Sequence, residues 1–105
     1  MEGKTTVKYL QEYLKQKDCY PERHKDYFLK LAEEVGELIR AERKGLKAKE
    51  GQGIKGTLDE ELWDVMYYVL CIANLYDIDM EQVIKEKEAL NQRRYPSTVK
   101  FEEGK

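Results

Sequence analysis

Apolar residues recur at helical spacing in four stretches of the chain, and no stretch of useful length alternates apolar and polar residues as a strand would. The first predicted helix runs from about Thr6 to Lys17. The second begins near Pro21, a residue type suited to the first turn of a helix, and is expected to end at Gly45. The pattern therefore predicts an all-α protein.

The third and fourth predicted helices begin at residues typical of helix N-termini. Thr57 and Glu60 form the T-x-x-E pattern of a capping box, and Asp79 has Gln82 in the equivalent position. The fourth helix is expected to stop before Pro96, because proline cannot continue a helix. Four helices in one short chain are typical of a four-helix-bundle-like fold.

The 105 residues are enough for one domain, which we expect to span 1–105. The segment 44–56 holds four glycines in thirteen residues and is predicted to be a flexible loop, while 96–105 forms a C-terminal tail. The stretch 62–76 is apolar on nearly every side of its helix, more than three neighbouring helices can cover. We therefore expect self-association, as a homodimer or homotetramer, to complete the bundle.

The charge and cysteine content narrow the choice of partner and compartment. Lys and Arg total 19 against 21 Asp and Glu, and this net charge of -2 gives no basic field for a nucleic acid polymer or an anionic membrane. The start of the chain lacks the apolar core of a signal peptide, and the run 62–76 is too short to span a bilayer. Cys19 and Cys71 lack the spacing of a zinc site, so we expect reduced thiols in a cytoplasmic protein.

Two acid pairs give the sequence its main chemical signal. Glu34 and Glu37, like Glu61 and Asp64, lie three residues apart and therefore project from one side of their helix. Acids at this spacing are usually solvated, but here both pairs border apolar helix faces. Burying ionised carboxylates is costly without a compensating cation, which favours a divalent metal between the two pairs.

The ligand types select a hard metal ion. Carboxylate oxygens suit Mg2+, or Mn2+, better than zinc or iron. A di-iron carboxylate bundle would need Glu-x-x-His, and the single histidine, His24, lies at a helix start. Glu33 lies on the outer side of its helix and is either an ordinary surface charge or an acid that supports the ligands.

Three polar residues on the fourth helix offer a partner for phosphate. Lys87, Asn91 and Arg94 fall within about 60° of one another at 100° per residue, on the face that also carries apolar residues. These side chains either snorkel and pair with neighbouring acids, or hold a chain of phosphates whose other oxygens bind the metal.

With these residues in view, the chain resembles the MazG-like branch of the all-α nucleoside triphosphate pyrophosphohydrolases. The motif E-E-x-x-E followed by E-x-x-D is present as "EEVGE" and "ELWD", and K-x-x-x-N-x-x-R-Y follows on the fourth helix. The matching positions are Glu33, Glu34, Glu37, Glu61, Asp64, Lys87, Asn91, Arg94 and Tyr95. One departure is Trp63, where many relatives carry a small residue.

The resemblance implies a Mg2+-dependent enzyme that cleaves an NTP or dNTP between the α and β phosphates, in nucleotide house-cleaning or pool control. Glu34, Glu37, Glu61 and Asp64 would be the metal ligands, and Glu33 or a ligating glutamate such as Glu34 would orient the attacking water. The substrate contacts implied on the fourth helix are Lys87, Asn91, Arg94 and Tyr95.

Two alternatives remain open at this point. A phosphoribosyl-ATP pyrophosphohydrolase is a related enzyme, although its kin generally lack the K-x-x-x-N-x-x-R-Y ending. A non-catalytic helical interaction module would use the acids and bases only to pair with each other. The residues Trp63, Tyr67 and Tyr68 are candidates for stacking on a base, yet aromatic residues at helical spacing are more often core.

Overall fold

Residues 4–104 are described by a computed structural model, and throughout this range the regular elements are helical, with no strand. In chain order they are α1 (Val7–Lys17), a short 3-10 turn (Pro21–Arg23), α2 (His24–Arg43), α3 (Leu58–Leu75) and α4 (Met80–Arg94). The predicted all-α class and the four predicted helices are confirmed. Within the described range, no helix combines the length and apolar character needed to cross a membrane.

The helix starts lie where the cap residues predict them. The Thr57 hydroxyl accepts a hydrogen bond from the Glu60 N–H, and the Asp79 carboxylate accepts from the N–H groups of Glu81 and Gln82. In a complete capping box, the side chain of Glu60 or Gln82 would also bond to the backbone N–H of the cap residue, and neither does so here. Glu60 accepts from the N–H of Gly56 instead of Thr57, and the Gln82 amide bonds further along α4.

The end of α2 is fixed by Gly45, as the sequence predicts. Its φ of 63° lies in the left-handed region, which glycine adopts without a steric penalty. The N–H of Gly45 donates to the carbonyl of Glu42, and the N–H of Leu46 donates to the carbonyl of Ala41. This pair of bonds is the Schellman arrangement, which satisfies the carbonyls that the helix leaves free at its end.

Helices α2 and α3 pack side by side in opposite directions. The rings of Tyr27 and Tyr68 meet edge to face, with their centroids 6.4 Å apart. The connection between the helices is anchored near both ends, because the Leu58 N–H donates to the carbonyl of Leu46 and the Ala48 N–H donates to the Asp59 carboxylate at 2.7 Å. This pairing aligns the acids of α2 with those of α3.

The core lies between α1, α2 and α3 around the buried side chains of Leu14, Leu70 and Cys71. Cys19 and Cys71 are free thiols, as expected, and burial raises the pKa of Cys71 to about 12. Asp18, just after α1, accepts hydrogen bonds from the hydroxyls of Tyr27 and Tyr67, each at 2.6 Å. One carboxylate therefore ties α1 to both helices of the α2–α3 pair.

A buried amide joins α1 to the turn between α3 and α4. The Gln11 amide nitrogen donates to the Asn74 side chain at 3.1 Å and to the carbonyl of Ile78 at 2.9 Å. Its amide oxygen accepts from the Met80 N–H at 2.9 Å, and Asn74 in turn donates to the carbonyl of Gln11. The start of α4 is held by these bonds.

The body of α4 is less enclosed than the sequence suggests. The helix contacts α1 and contributes no fully buried residue, and Val83 and Leu90 are 41% and 53% exposed. Lys87 and Arg94, which the helical pattern places on an inner face, are exposed. Only the first turn of α4 reaches the core, through Met80, so the rest of its apolar stripe has no covering helix within residues 4–104.

Helices α2 and α3 also leave an apolar face uncovered. Phe28, Val35 and Ile39 share one side of α2 and are between 38% and 51% exposed. On α3, Leu62 and Met66 are about half exposed. The stripe expected to border the core on α2 is therefore only partly enclosed by this chain.

We predict that Gln11→Met destabilises the fold by about 2 kcal/mol. The variant keeps the size of the side chain but removes three hydrogen bonds, and it leaves groups at the α3–α4 turn without partners. Urea denaturation monitored by circular dichroism measures the change. Gln16→Met, at an exposed position of the same helix, is the matched control, and equal midpoints for the two variants would contradict the role of the Gln11 network.

Candidate functional site

The acids Glu34, Glu61 and Asp64 meet at the middle of the α2–α3 pair. One carboxylate oxygen from each lies within 4.8 Å of one from each of the others. Glu61 is buried and the other two are half-buried. The i, i+3 spacing on α3 and the antiparallel packing on α2 together produce this cluster of three carboxylates.

The cluster disfavours full ionisation. Burial, a hydrogen bond with Asp64 and the charge of Glu34 together raise the pKa of Glu61 to about 7. The pKa of Glu34 is also raised, first by burial and then by the charge of Asp64. In the described part of the chain, no lysine or arginine forms an ion pair with any of the three acids.

Glu37 lies beside this cluster but outside it. Its carboxylate pairs with the Arg40 guanidinium at 3.7 Å, on the same helix, and its side chain is 51% exposed. The charge of Glu37 still contributes to the raised pKa of Glu61, and both residues line one cleft. The structure therefore brings three of the four predicted metal ligands together and leaves the fourth at the edge.

Glu33 is not one of the three clustered acids. It pairs with Lys30 at 3.3 Å, and its side chain is 65% exposed. The charge of Glu33 raises the pKa of Glu34 less than the charge of Asp64 does. The sequence left Glu33 as either a surface charge or an acid that supports the metal ligands. In this conformation it is a surface acid near the site.

The predicted substrate residues on α4 are not joined to the acids in the single chain. Asn91 is half-buried and donates to Glu88 on its own helix, while the Arg94 guanidinium lies over the Tyr95 ring at 5.5 Å. Lys87 is exposed. Within residues 4–104, none of these four side chains forms a hydrogen bond or ion pair with an acid of α2 or α3.

The aromatic candidates divide between core and surface. Trp63 and Tyr67 pack edge to face at 5.9 Å, and the Tyr67 hydroxyl is bound to Asp18, so both serve the core. Tyr68 also contacts the core but lines an open cleft of about 170 Å³ beside Lys30. Tyr68 follows Asp64 by one helical turn, which makes it the aromatic residue next to the acids.

Sequence reasoning missed the role of Asp18, which organises Tyr27 and Tyr67 behind the site. Tyr27 lies nine residues and Tyr67 forty-nine residues from Asp18, and no spacing rule connects the three. The only local signal is an acid placed directly after a helix and before a cysteine. It does not reveal which hydroxyl groups the carboxylate will meet.

The three carboxylates fit a hard divalent cation. Their donor set is entirely oxygen, as Mg2+ and Mn2+ prefer, and the acids are mutually repulsive when ionised. A bound cation would offset the repulsion between the acids and compensate for the desolvation that raises the pKa of Glu61. An acid cluster that forms no ion pair with a lysine or arginine among residues 4–104 is therefore better suited to a metal than to a structural ion-pair network.

Comparison with known proteins identifies the family to which the chain belongs. Residues 22–99 match the MazG nucleotide pyrophosphohydrolase domain, a range that contains all four helix-borne acids of the predicted metal site. The uncharacterized protein YpjD of Bacillus subtilis (strain 168) is 34% identical to this chain, over 72% of the chain and 71% of YpjD.

Solved structures share the fold. A crystal structure of iMazG from Vibrio DAT 722, in an N-terminally tagged form, is 39% identical and superimposes with a TM-score of 0.80 over 89% of this chain and 100% of its own. A C-terminally tagged form is 40% identical, with a TM-score of 0.79 over 84% of this chain and 99% of its own. The match to the domain, together with acids brought into one cluster, shows that the chain belongs to the MazG nucleotide pyrophosphohydrolase family.

Proposed function

We propose that this protein hydrolyses a nucleoside or deoxynucleoside triphosphate to the monophosphate and pyrophosphate, using Mg2+. The observation that carries the proposal is the cluster of Glu34, Glu61 and Asp64, which has no basic partner within residues 4–104. Family membership supports nucleotide pyrophosphohydrolase chemistry. A module in which acids and bases merely pair would not leave this cluster unpaired.

Glu34, Glu61 and Asp64 would hold the cation, and Glu37 would join them by turning from Arg40. Bound Mg2+ would supply positive charge to the oxygens of the α phosphate. The exposed pair of Glu37 with Arg40 is weak, so exchanging it for a metal contact costs little. The four acids named by the sequence are the ligands that we propose.

Water adds to the α phosphorus, and the bond from this phosphorus to the bridging oxygen breaks, so that pyrophosphate leaves. Glu33 and Glu34 are the acids that we propose for orienting this water and accepting its proton. Glu34 is part of the cluster, whereas Glu33 would first have to leave Lys30. Because the two differ in this way, Glu33→Gln and Glu34→Gln separate their roles.

Lys87, Asn91, Arg94 and Tyr95 are proposed to bind the substrate from α4. In the single chain these residues lie on a helix that packs against α1. They would reach the acids either from a second copy of the chain or after α4 moves. The exposed apolar face of α2 and α3 fits a second copy, because it lies beside the acids on the same two helices.

We predict that Asp64→Asn abolishes Mg2+-dependent release of pyrophosphate while preserving the fold. The amide keeps the shape of the side chain but is a poorer ligand, and losing one repelling charge should leave the metal-free stability unchanged or raise it by about 1 kcal/mol. A pyrophosphate-release screen over canonical and modified NTPs and dNTPs, with phosphoribosyl-ATP included, measures the activity with and without Mg2+.

Glu42→Gln, at an exposed position of α2 outside the cluster, is the control for removal of an acid. Thermal melts in EDTA and in Mg2+ accompany the assay. An Asp64→Asn protein that unfolds early yet keeps the parent's response to Mg2+ would refute the metal-ligand role. A parent that hydrolyses only phosphoribosyl-ATP would favour the related enzyme instead.

In EDTA, we predict that the free energy of unfolding falls as the pH rises from about 4.5 to about 7. Over this window the folded protein keeps a proton on Glu61 that the unfolded chain releases, so raising the pH favours unfolding. The contribution is about 3 kcal/mol at most, because the pKa of Glu61 is about 7 in the folded protein against its ordinary value of 4.5.

Glu61→Gln carries no titrating group and should lack this component. The measurement is the difference between the urea stability curves of parent and variant from pH 4 to 8. A difference that does not change with pH would show that Glu61 does not titrate as its burial implies. Saturating Mg2+ should flatten the parent's curve, since ligand binding favours the ionised acid.

We predict that the protein is a dimer or a larger homo-oligomer, and that Met66→Asp shifts it toward monomer. Met66 is 48% exposed on the apolar face of α3, where a charge would be buried against a second copy. Sedimentation velocity at micromolar concentration measures the shift. Val99→Asp, at an exposed apolar residue of the tail, is the control, and a parent that sediments as a monomer would contradict the prediction.

A further inference from the structure

Two clefts flank the three-acid cluster along the groove between α2 and α3. At the end near the loop, a cleft of about 250 Å³ is lined by Glu37, Arg40, Lys44 and Glu61, among others. At the opposite end, a cleft of about 170 Å³ contains the rings of Tyr20, Tyr27 and Tyr68 together with Lys30 and other charged residues. We refer to them as the loop-end cleft and the tyrosine cleft.

The order of residues on α2 places the acids between the two clefts. Lys30 lies four residues before Glu34, and Arg40 lies six residues after it, about 9 Å further along the helix axis at 1.5 Å per residue. On the antiparallel α3, Tyr68 follows Asp64 by one turn toward the tyrosine cleft. Glu61 belongs to the cluster and also lines the loop-end cleft, so that cleft opens directly from the acids.

The two clefts differ in chemistry. The loop-end cleft has a guanidinium and an ammonium group, and no aromatic residue lines it. The tyrosine cleft offers π-faces, and its lysine and arginine are accompanied by Asp18 and Asp26. The loop-end cations are accompanied by Glu37 and Glu61, but these two acids are proposed metal ligands, so a bound cation would leave Arg40 and Lys44 available for phosphate. A nucleoside triphosphate has the same polarity, because its base is aromatic and its far end carries the most negative charge.

We propose that Arg40 and Lys44 bind the β and γ phosphates of the substrate, and thus the leaving pyrophosphate, while the nucleoside lies toward the tyrosine cleft. This assignment rests on the proposed hydrolysis. When water adds to the α phosphorus, the bridging oxygen departs with the pyrophosphate and gains negative charge. The two cations at the loop end are placed to offset that charge on the same chain that holds the acids.

The pairing of Arg40 with Glu37 is compatible with this role. Their atoms are 3.7 Å apart and both side chains are more than half exposed, so the pair is easily exchanged for phosphate oxygens. A guanidinium presents five N–H donors, which is more than one carboxylate can occupy. In this assignment, the Arg40 guanidinium donates hydrogen bonds to phosphate oxygens once Glu37 has turned toward the other acids.

The competing explanation is that basic residues near the end of α2 only complement the helix dipole. Arg40, Arg43 and Lys44 all lie there, but only Arg40 and Lys44 line the loop-end cleft. A dipole role makes the three residues equivalent, whereas a phosphate role does not. Arg43→Ala is thus the matched control.

The test compares Arg40→Ala, Lys44→Ala and their double variant with Arg43→Ala. Calorimetry measures the binding of pyrophosphate in the presence of Mg2+, and product inhibition measures pyrophosphate and nucleoside monophosphate separately. Losing one charge-assisted contact is expected to weaken pyrophosphate binding about tenfold for each residue. Inhibition by the monophosphate should change less than about twofold by the same reasoning, since it makes neither contact.

Arg40→Lys keeps the charge and should restore part of the lost pyrophosphate affinity, which a role in folding alone would not predict. An active parent whose pyrophosphate binding is unchanged in the double variant overturns this assignment alone. Equal weakening of both products, or weakening by Arg43→Ala to the same extent, overturns it as well. A parent that releases pyrophosphate from no nucleotide overturns the proposed function and the assignment with it.

Discussion

The structure depends on the packing of α2 against α3 around a carboxyl group that this packing removes from water. Glu61 is buried, and Glu34 and Asp64 approach it from the two helices. Burial, the hydrogen bond with Asp64 and the charge of Glu34 raise the pKa of Glu61 to about 7, so without a cation this carboxyl group favours its protonated form. The packing of α2 against α3 thus holds three acids together where ionisation of Glu34 and Glu61 is disfavoured, as expected of a site that binds a cation.

Asp18 shows that the same fold can hold a half-buried carboxylate without such a conflict. Its two oxygens accept hydrogen bonds from the hydroxyls of Tyr27 and Tyr67, and these hydroxyls come from both helices that form the site. Both oxygens of Asp18 thus have a hydroxyl donor, whereas the acids of the cluster contact one another. Asp18 is bonded to hydroxyl groups and serves the fold, whereas the acids of the cluster face one another and are assigned a functional role. Hydrogen-bond partners therefore distinguish these two kinds of acid more clearly than burial does.

Local chemistry made most of the fold predictable from the sequence. Thr57 and Asp79 mark helix starts, and Gly45 marks a helix end, because each satisfies backbone groups within a few residues of itself. The i, i+3 acids follow from the same helical geometry. Long-range contacts were not predictable: the hydroxyls that reach Asp18, the amide of Gln11 against Ile78, and the exposure of α4 depend on how helices dock, which no local pattern records.

The same distinction between local and long-range contacts explains why the basic residues of α2 and those of α4 differ in their position relative to the acids. Arg40 lies on the helix that carries Glu34 and Glu37, so its distance from these two acids is set by helix rise and does not depend on docking. Lys87 and Arg94 lie on α4, which within residues 4–104 is bonded to α1 through its first turn, at Met80 and Glu81. A helix held at one end has freedom to change its position when a second copy or a substrate is present. Contacts from α2 can therefore form in the single chain, whereas the proposed contacts from α4 need either a second copy of the chain or a movement of α4. In the first case, substrate binding would be coupled to association.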